Sequence, residues 1–335
     1  MEKNLSALGF MSGTSGDGVD TSVISSNGKD TINIKYNRFD PYPTSLSNKI
    51  HRVKESISEM QDLLKYSSEI DKLELEITDF HIDIAIKATK EVDYDLIGFH
   101  GHTIYHNTEE KISKQIGLGA NLSKLTNKDV VYNFRQNDIK NGGEGAPLSP
   151  IYHLALIKSL FNENKVKIPI SILNIGGIAN ITEIEKDFKI TSRDIGPGNC
   201  LIDKWIRKNS DKFFDENGTL ADKGKTDKFI FDQYLDNYYY SKVNSKRSLD
   251  TNDFDISFAK GLSLENGTTT ITDLTSELLS KKIGINDIYI CGGGRKNKYL
   301  INSLKKKINN KLRLIDDLNI DGDYIESQAF AFLAI

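Results

Sequence analysis

The sequence predicts an α/β protein built as two similar halves, and three observations carry that reading. Apolar runs short enough to be strands alternate with stretches of helical periodicity along the whole chain. A strand, a glycine turn and a strand open the chain at residues 8–11, 13–18 and 19–24, and the same succession recurs about 165 residues later at 168–175, 176–177 and 178–184. The length of 335 residues is enough for about two domains with cores of their own. The boundary is expected at 150, giving domains 1–150 and 151–335 joined about a hinge, with the final helix packing back toward the first domain.

Residues 8–11 and 19–24 flank a turn of Gly, Ser, Thr and Asp that can reach positive φ and expose backbone N–H groups, the form of a phosphate-cradling hairpin. Residues 32–39 alternate apolar and polar as a further strand, ended by Pro41 and Pro43. From 43 to about 90, Ile50, Val53, Ile57, Met60, Leu63 and Leu64 recur at three- and four-residue spacing, which predicts two helices. Residues 94–99 read as a buried strand running into a turn, His100-Gly101-His102-Thr103, at a strand's carboxyl end, where open α/β sheets place ligand contacts. Residues 130–134 read as another strand, followed by Arg135 to Ile139 and a loop with three glycines in four positions, Gly142, Gly143, Glu144 and Gly145, then Ala146 and Pro147. That density of glycine means a sharp bend or the close approach of another group.

A helix at 154–161 leads into the second half. After the strands at 168–175 and 178–184, Asp194 to Asn199 follows another strand and precedes a helix at 200–208 whose Leu201, Ile202 and Trp205 share one face, with Asn199 placed to cap it. Helices are expected at 223–240 and 268–282, with a polar loop at 245–250 between them. A strand at 288–290, a turn at 291–294, a helix at 298–307 and an apolar helix at 324–335 complete the chain.

Composition narrows the function classes. Hydrophobic residues make up 38% and charged residues 27%, and no apolar run approaches the roughly 20 residues needed to span a bilayer, so a membrane role is not expected. Lys+Arg 44 against Asp+Glu 47 gives a formal charge of −3, without the global basic field that draws a protein to nucleic acid. Two cysteines, Cys200 and Cys291, with no export signal ahead of the first hairpin, predict a reduced, cytoplasmic setting.

One glycine loop is weak evidence for nucleotide binding, but three that each follow a strand can gather at a shared sheet edge and meet a polyphosphate with backbone N–H groups. Neither a Walker motif nor a dinucleotide fingerprint is present. Asp17, Asp20 and Asp194 could hold Mg²⁺ mostly through water, or could serve as Asx-turn and cap residues. Asp138 is a candidate general base, with an Arg135–Asp138 ion pair as the competing reading. His100 and His102 lack a third ligand for Zn²⁺ and read as hydrogen-bonding groups for a polar substrate or as satisfied buried histidines. Glu326 opens the last apolar helix, where the helix dipole alone could explain an acid.

With these segments in view, the chain resembles the anhydro-N-acetylmuramic acid kinases of the actin-like sugar kinase superfamily. The resemblance runs nearly end to end, through Met11-Ser12-Gly13-Thr14-Ser15-Gly16-Asp17-Gly18-Val19-Asp20, His100-Gly101-His102-Thr103, Phe134-Arg135-Gln136-Asn137-Asp138 with the loop 142–147, the stretch 174–180, Gly196-Pro197-Gly198-Asn199 and Cys291-Gly292-Gly293-Gly294. It implies two actin-like (ribonuclease H-like) domains, each with a five-stranded mixed sheet flanked by helices, and ATP with Mg²⁺ in the cleft between them. It further implies phosphate contacts from Gly13, Thr14, Ser15, Gly16, Asp17, Gly18, Val19 and Asp20, closure by Gly176, Gly177 and Asn180, and an adenosine seat at Gly292, Gly293 and Gly294. Asp17 and Asp194 would meet the metal through water. Asp138 matches the family's base, and His100, Thr103, Arg135 and Glu326 match substrate-side positions. The implied partner is a small anhydro-amino-sugar, in a chain that could also form a homodimer. Another sugar kinase of the same fold and a non-catalytic ATP-binding scaffold are the alternatives. Gly16 stands where the family usually has Leu or Met, Phe99 and His102 where Ser and Gln are usual, and Glu144 where Gln is usual.

Overall fold

In the computed structural model, residues 4–13, 15–241 and 248–335 are described. Thr14 and residues 245–247 of the polar loop therefore lie outside the described residues. The chain divides into two compact units, Met1–Lys167 with Asp323–Ile335, and Ile168–Gly322. Among the described residues no helix is long and apolar enough to cross a membrane.

The first unit contains β1 (Leu5–Ser12), β2 (Gly18–Ser26), β3 (Ile32–Pro41), α1 (Thr44–Ser56), α2 (Met60–Lys65), α3 (Ser67–Ala88), β4 (Leu96–Asn107), β5 (Ile112–Ile116), α4 (Gly119–Thr126), β6 (Asp129–Tyr132), α5 (Phe134–Lys140) and α6 (Pro150–Asn162). Its sheet has the order β3-β2-β1-β4-β5, with β6 also on β4. The pairs β1–β2 and β2–β3 are antiparallel, β1–β4 and β4–β6 parallel, and β5 runs antiparallel to the far half of β4.

The second unit contains β7 (Ile170–Ile175), β8 (Ile178–Ile184), β9 (Ile190–Pro197), α7 (Cys200–Asn209), α8 (Lys228–Tyr239), α9 (Leu264–Lys282), β10 (Asp287–Cys291), α10 (Lys298–Lys305) and β11 (Leu312–Leu314). Its sheet order is β11-β10-β7-β8-β9, antiparallel across β7–β8–β9 and parallel across β7–β10–β11. With β5 set aside, the two sheets share strand order and strand sense, so the repeat seen in the sequence is a repeat of topology.

The last helix, α11 (Ile325–Ala334), returns to the first sheet. It can lie directly on β1 and β4 because Gly9 and Gly98 have no side chain there: a Cβ at Gly9 would collide with the Ser327 carbonyl, and one at Gly98 with the Phe330 carbonyl. Buried polar ties fix its register, Ser22 Oγ to Ser327 Oγ at 2.7 Å and the Tyr152 hydroxyl donating to Gln328 Oε1 at 2.7 Å. The opposite face of β1 carries Leu8 and Phe10 into a core with Ile50, Leu73 and Ile77.

Several expectations change. The region expected to hold two helices has three. The stretch His100 to Thr103 is not a turn: β4 continues through it, with a bulge at Gly101, where φ is +74°. The register with β1 steps there from Phe10–Phe99 to Ser12–His102. Phe134 begins α5 rather than ending a strand, because Asn133, at φ +61°, turns the chain. The strand β5 and helix α4 were not anticipated, since the five residues of β5 hold only two apolar positions amid polar neighbours.

Candidate active site

The β1–β2 turn is gripped from behind. Gly16 sits at φ +60° and donates its amide to the Gly13 carbonyl at 3.1 Å, while Ser47 of α1 donates to the Gly16 carbonyl at 2.7 Å and the Tyr42 amide to the Asp17 carbonyl at 2.9 Å. A Cβ on Gly16 would come within 3.2 Å of His51 Nε2, so the imidazole crowds this position. Ser15 donates to Asp17 Oδ1 at 2.5 Å, and Asp17 is exposed at the tip. Val19 is 0% exposed, its side chain in the first unit's core. Asp20 is on β2, between Met11 and Phe39 in register, and partly buried.

The bulge at Gly101 puts the two histidines of the sequence motif on opposite faces of the sheet. His102 shares the face of its register partner Ser12, which lies 2.8 Å from His102 Nδ1 and accepts from the Tyr42 hydroxyl at 2.9 Å. Burial, with the charges of Lys54, His51 and His81, lowers its pKa to about 3, so it stays neutral. His100 instead stacks on Phe330 of α11, at 4.5 Å between ring centroids. Its Nδ1 lies 2.8 Å from the Gly101 carbonyl and its Nε2 accepts from Arg135 Nε at 2.8 Å. A guanidinium can only donate, so His100 is the Nδ1–H tautomer, and burial and the Arg135 charge hold its pKa well below the ordinary value. Both ring nitrogens are thus occupied inside the protein, and His100 acts by orienting Arg135 rather than by offering a free nitrogen.

Arg135 and Asp138 meet on one glycine. Arg135 Nη1 donates to the Gly145 carbonyl at 2.9 Å, and Asp138 Oδ2 accepts from the Gly145 amide at 2.8 Å. Gly145 lies at φ +75°, and a Cβ on Gly143 would drive into the Asp138 carboxylate. The group that the glycine-rich loop admits so closely is the candidate base itself, with Oδ2 pinned and Oδ1 remaining as an acceptor. Thr103 Oγ1 accepts from Gln115 Nε2 at 3.1 Å, and Glu326 lies in the first turn of α11, partly buried.

In the second unit the β7–β8 turn is held by the start of α7: the Gly198 and Cys200 amides donate to the Gly177 carbonyl at 2.9 and 3.1 Å, and the Asn199 amide to the Gly176 carbonyl at 2.8 Å. Asn199 occupies the N-cap position, but its side chain makes no cap bond. Asn174, Asn180 and Asp194 are register partners and form one buried polar row across β7, β8 and β9. Asp194 Oδ2 accepts the Leu249 amide at 2.8 Å, while Asn180 Oδ1 is buried without a hydrogen-bond partner. The 291–294 turn joins the same edge, since Cys291 pairs with Asn174 and Gly294 packs on Ile175. Gly293 is the open member of that turn: a Cβ there would come no nearer than 4.0 Å to Asn199 Nδ2. Among the described residues no group of three His, Cys, Asp or Glu gathers for a metal.

Sequence reasoning missed Arg295, which locks this turn. It forks onto Asp316 at 2.7 and 2.9 Å, reaches Asp321 at 3.1 Å and donates to the Gly292 carbonyl at 3.2 Å. Burial works to raise the Asp316 pKa, but the Arg295 hydrogen bonds and charge outweigh it and leave it below the ordinary carboxylate value. The available signal was an arginine directly after three glycines, with acids about two dozen residues on.

A family model described as "Anhydro-N-acetylmuramic acid kinase" matches residues 5–335. A protein named anhydro-N-acetylmuramic acid kinase from Pelagibacter ubique is 46% identical over 350 residues, covering 100% of this chain and 92% of the relative. Proteins of the same name from Zymomonas mobilis and Rhizobium johnstonii are 35% and 34% identical, each covering 98% of this chain and 92% and 91% of their own lengths.

Proposed function

The chain belongs to the anhydro-N-acetylmuramic acid kinase family, and from that premise we propose that it converts 1,6-anhydro-N-acetylmuramic acid, water and ATP into N-acetylmuramic acid 6-phosphate and ADP, in peptidoglycan recycling. Water adds at the anomeric carbon, the bond from that carbon to O6 breaks, and O6 takes the γ-phosphoryl group. The observation that supports this best is the Asp138 carboxylate, pinned through Oδ2 by the Gly145 amide. Oδ1 would take the proton of the attacking water, and the fixed carboxylate needs little reorganisation to do so. Arg135, set by His100 and tied to the same glycine, would orient the sugar beside it.

The two hairpins and the 291–294 turn would hold the nucleotide through backbone N–H groups. Mg²⁺, which keeps several of its waters, would neutralise charge on the phosphates when bound. Asp17 and Asp194 would meet those waters, and the unpartnered Asn180 Oδ1 in the Asp194 row is a further acceptor suited to them. We place the reaction in the cytoplasm, where ATP is present.

Turnover in ¹⁸O-labelled water tests the route: label is expected at the anomeric oxygen of the product, and unlabelled product would overturn it. Asp138→Asn is expected to lower kcat by at least about a hundredfold, within the roughly 10²–10⁴ range of general-base catalysis; an unchanged rate would remove Asp138 from the mechanism.

A further inference from the structure

The β1–β2 hairpin stands on a buried polar chain that ends in His102, a residue the proposed chemistry does not use. Tyr42 holds the hairpin at two points, its amide on the Asp17 carbonyl at 2.9 Å and its hydroxyl on Ser12 Oγ at 2.9 Å, one residue before Gly13. The Tyr42 ring lies against Phe80, 4.9 Å between centroids, so packing aims the hydroxyl. Ser12 Oγ in turn lies 2.8 Å from His102 Nδ1.

Hydrogen count sets the direction of this chain. With Tyr42 donating to Ser12 Oγ, the Ser12 hydrogen goes to His102 Nδ1, and the ring carries its own hydrogen on Nε2. The other tautomer would strand the Ser12 hydrogen as well as a ring nitrogen. His102 is 0% exposed, and its Nε2 has no hydrogen-bond partner among the described residues. Such a ring is a costly filling for a core, where an apolar side chain would leave no nitrogen unpaired. The strand carries a second cost. An unbroken register after Phe10–Phe99 would set Ser12 opposite Gly101, which has no side chain, and the bulge brings His102 there instead. Both costs lead to one gain, the acceptor that His102 offers to Ser12.

We propose that His102 is a positioning residue for the nucleotide: its Nδ1 holds the Ser12 hydroxyl inward, and together with Tyr42 it fixes the base of the hairpin whose backbone meets the phosphate groups. The Ser12 hydroxyl is then an anchor of the hairpin and not a phosphate donor, because its hydrogen is used inside the protein. The proposal rests on the reading above that this hairpin holds ATP. His100, on the opposite face of the sheet, is bonded to Arg135, so the two histidines of one strand have separable effects.

Asn and Leu at position 102 separate hydrogen bonding from packing, since the two side chains have nearly the same shape and Asn alone sets an amide oxygen near the place of Nδ1. Calorimetry on the full chain, with a non-hydrolysable ATP analogue plus Mg²⁺ and separately with anhydro-N-acetylmuramic acid, compares wild type, His102→Asn, His102→Leu and Ser12→Ala. His102→Leu and Ser12→Ala should each weaken the analogue about tenfold, their combination should add little further loss, and His102→Asn should stay within about threefold of wild type. Melting temperature should run the other way, with the Leu variant at least as stable as the Asn variant. Affinity for the sugar should be unchanged throughout. Equal affinities of the Asn and Leu variants for the analogue, losses that follow melting temperature, or equal losses for the sugar would overturn the proposal and leave the nucleotide reading of the hairpin standing. A wild type that binds the sugar and no nucleotide would refute that reading, and the role of His102 with it.

Discussion

The β1–β2 and β7–β8 turns occupy the same place in two sheets of the same order, yet different kinds of group hold them. In the first unit the supports come from segments packed behind the turn: the Ser47 hydroxyl on the Gly16 carbonyl, the Tyr42 amide on the Asp17 carbonyl and the His51 ring against Gly16. In the second, three successive amides at the start of α7 bind the Gly176 and Gly177 carbonyls. Those three amides are thereby unavailable to an anion. Similar turn sequences are thus compatible with one support that combines side chains with backbone and another made by backbone alone.

The widest expected divergence between the units is in their response to acid. All six histidines, His51, His81, His100, His102, His106 and His153, lie in the first unit. Burial lowers His81 to about 4 and His102 and His153 to about 3, and it holds His100 well below its ordinary value. A histidine with a depressed folded pKa binds its proton more readily when unfolded, so its contribution is complete above the unfolded value near 6.5 and is lost as pH falls below it. Each such group can contribute a slope of about 1.4 kcal/mol per pH unit. Denaturation followed by proteolysis between pH 7 and 5 should therefore show the first unit weakening steeply and the second much less. The Asp316 carboxyl, already lowered, titrates below that window. Equal slopes in the two units would contradict the buried neutral state of these rings.

Next in size is Gly198→Ala, which challenges the backbone support. The added Cβ would collide with the Gly176 carbonyl, and neither atom has a flexible end to move. A loss of about 1–3 kcal/mol is expected in urea unfolding, as for other overpacked sites, together with a raised KM for ATP. A stable variant with unaltered KM would show that the start of α7 does not hold the turn.

Gly16→Leu makes the corresponding change in the first unit. Its φ of +60° costs a residue with a Cβ about 1–2 kcal/mol, and His51 must also give way. Combining it with His51→Ala separates the two contributions: the steric part should be recovered and the backbone part should remain. Full recovery would mean that the conformation of the turn, unlike its packing, is not restricted to glycine.

These positions also show what can be read from residues alone. The doubled strand–turn–strand pattern was legible because apolar runs and glycines are local signals, and α7 and β8 fall close to their expected limits. The loop at 142–145 was legible as a place of close approach, although the approaching group, Asp138, is identified only by the helix that carries it. The His100–Thr103 motif was misplaced because one bulge at Gly101 reverses which face each later side chain takes, and register is set by a strand far away in sequence. The Arg295 fork depends on long-range partners that no local periodicity announces.

The smallest expected effect on stability is the most informative about ligand binding. Neither Gly13 nor Gly176 has a positive φ, and a Cβ would come no nearer than 3.7 Å to Ser15 Oγ at the first or 3.5 Å to the Ile178 carbonyl at the second. Folding gives neither position a reason to be glycine, so Gly13→Ala and Gly176→Ala should each change stability by less than about 0.5 kcal/mol. If phosphate groups approach the backbone at these turns, both variants should raise the KM for ATP at unchanged melting temperature. A rise at only one of them would make the two turns unequal partners in nucleotide binding. No rise at either would remove the phosphate-binding role proposed for the hairpins, because the absent side chains would then be required neither by the fold nor by the ligand.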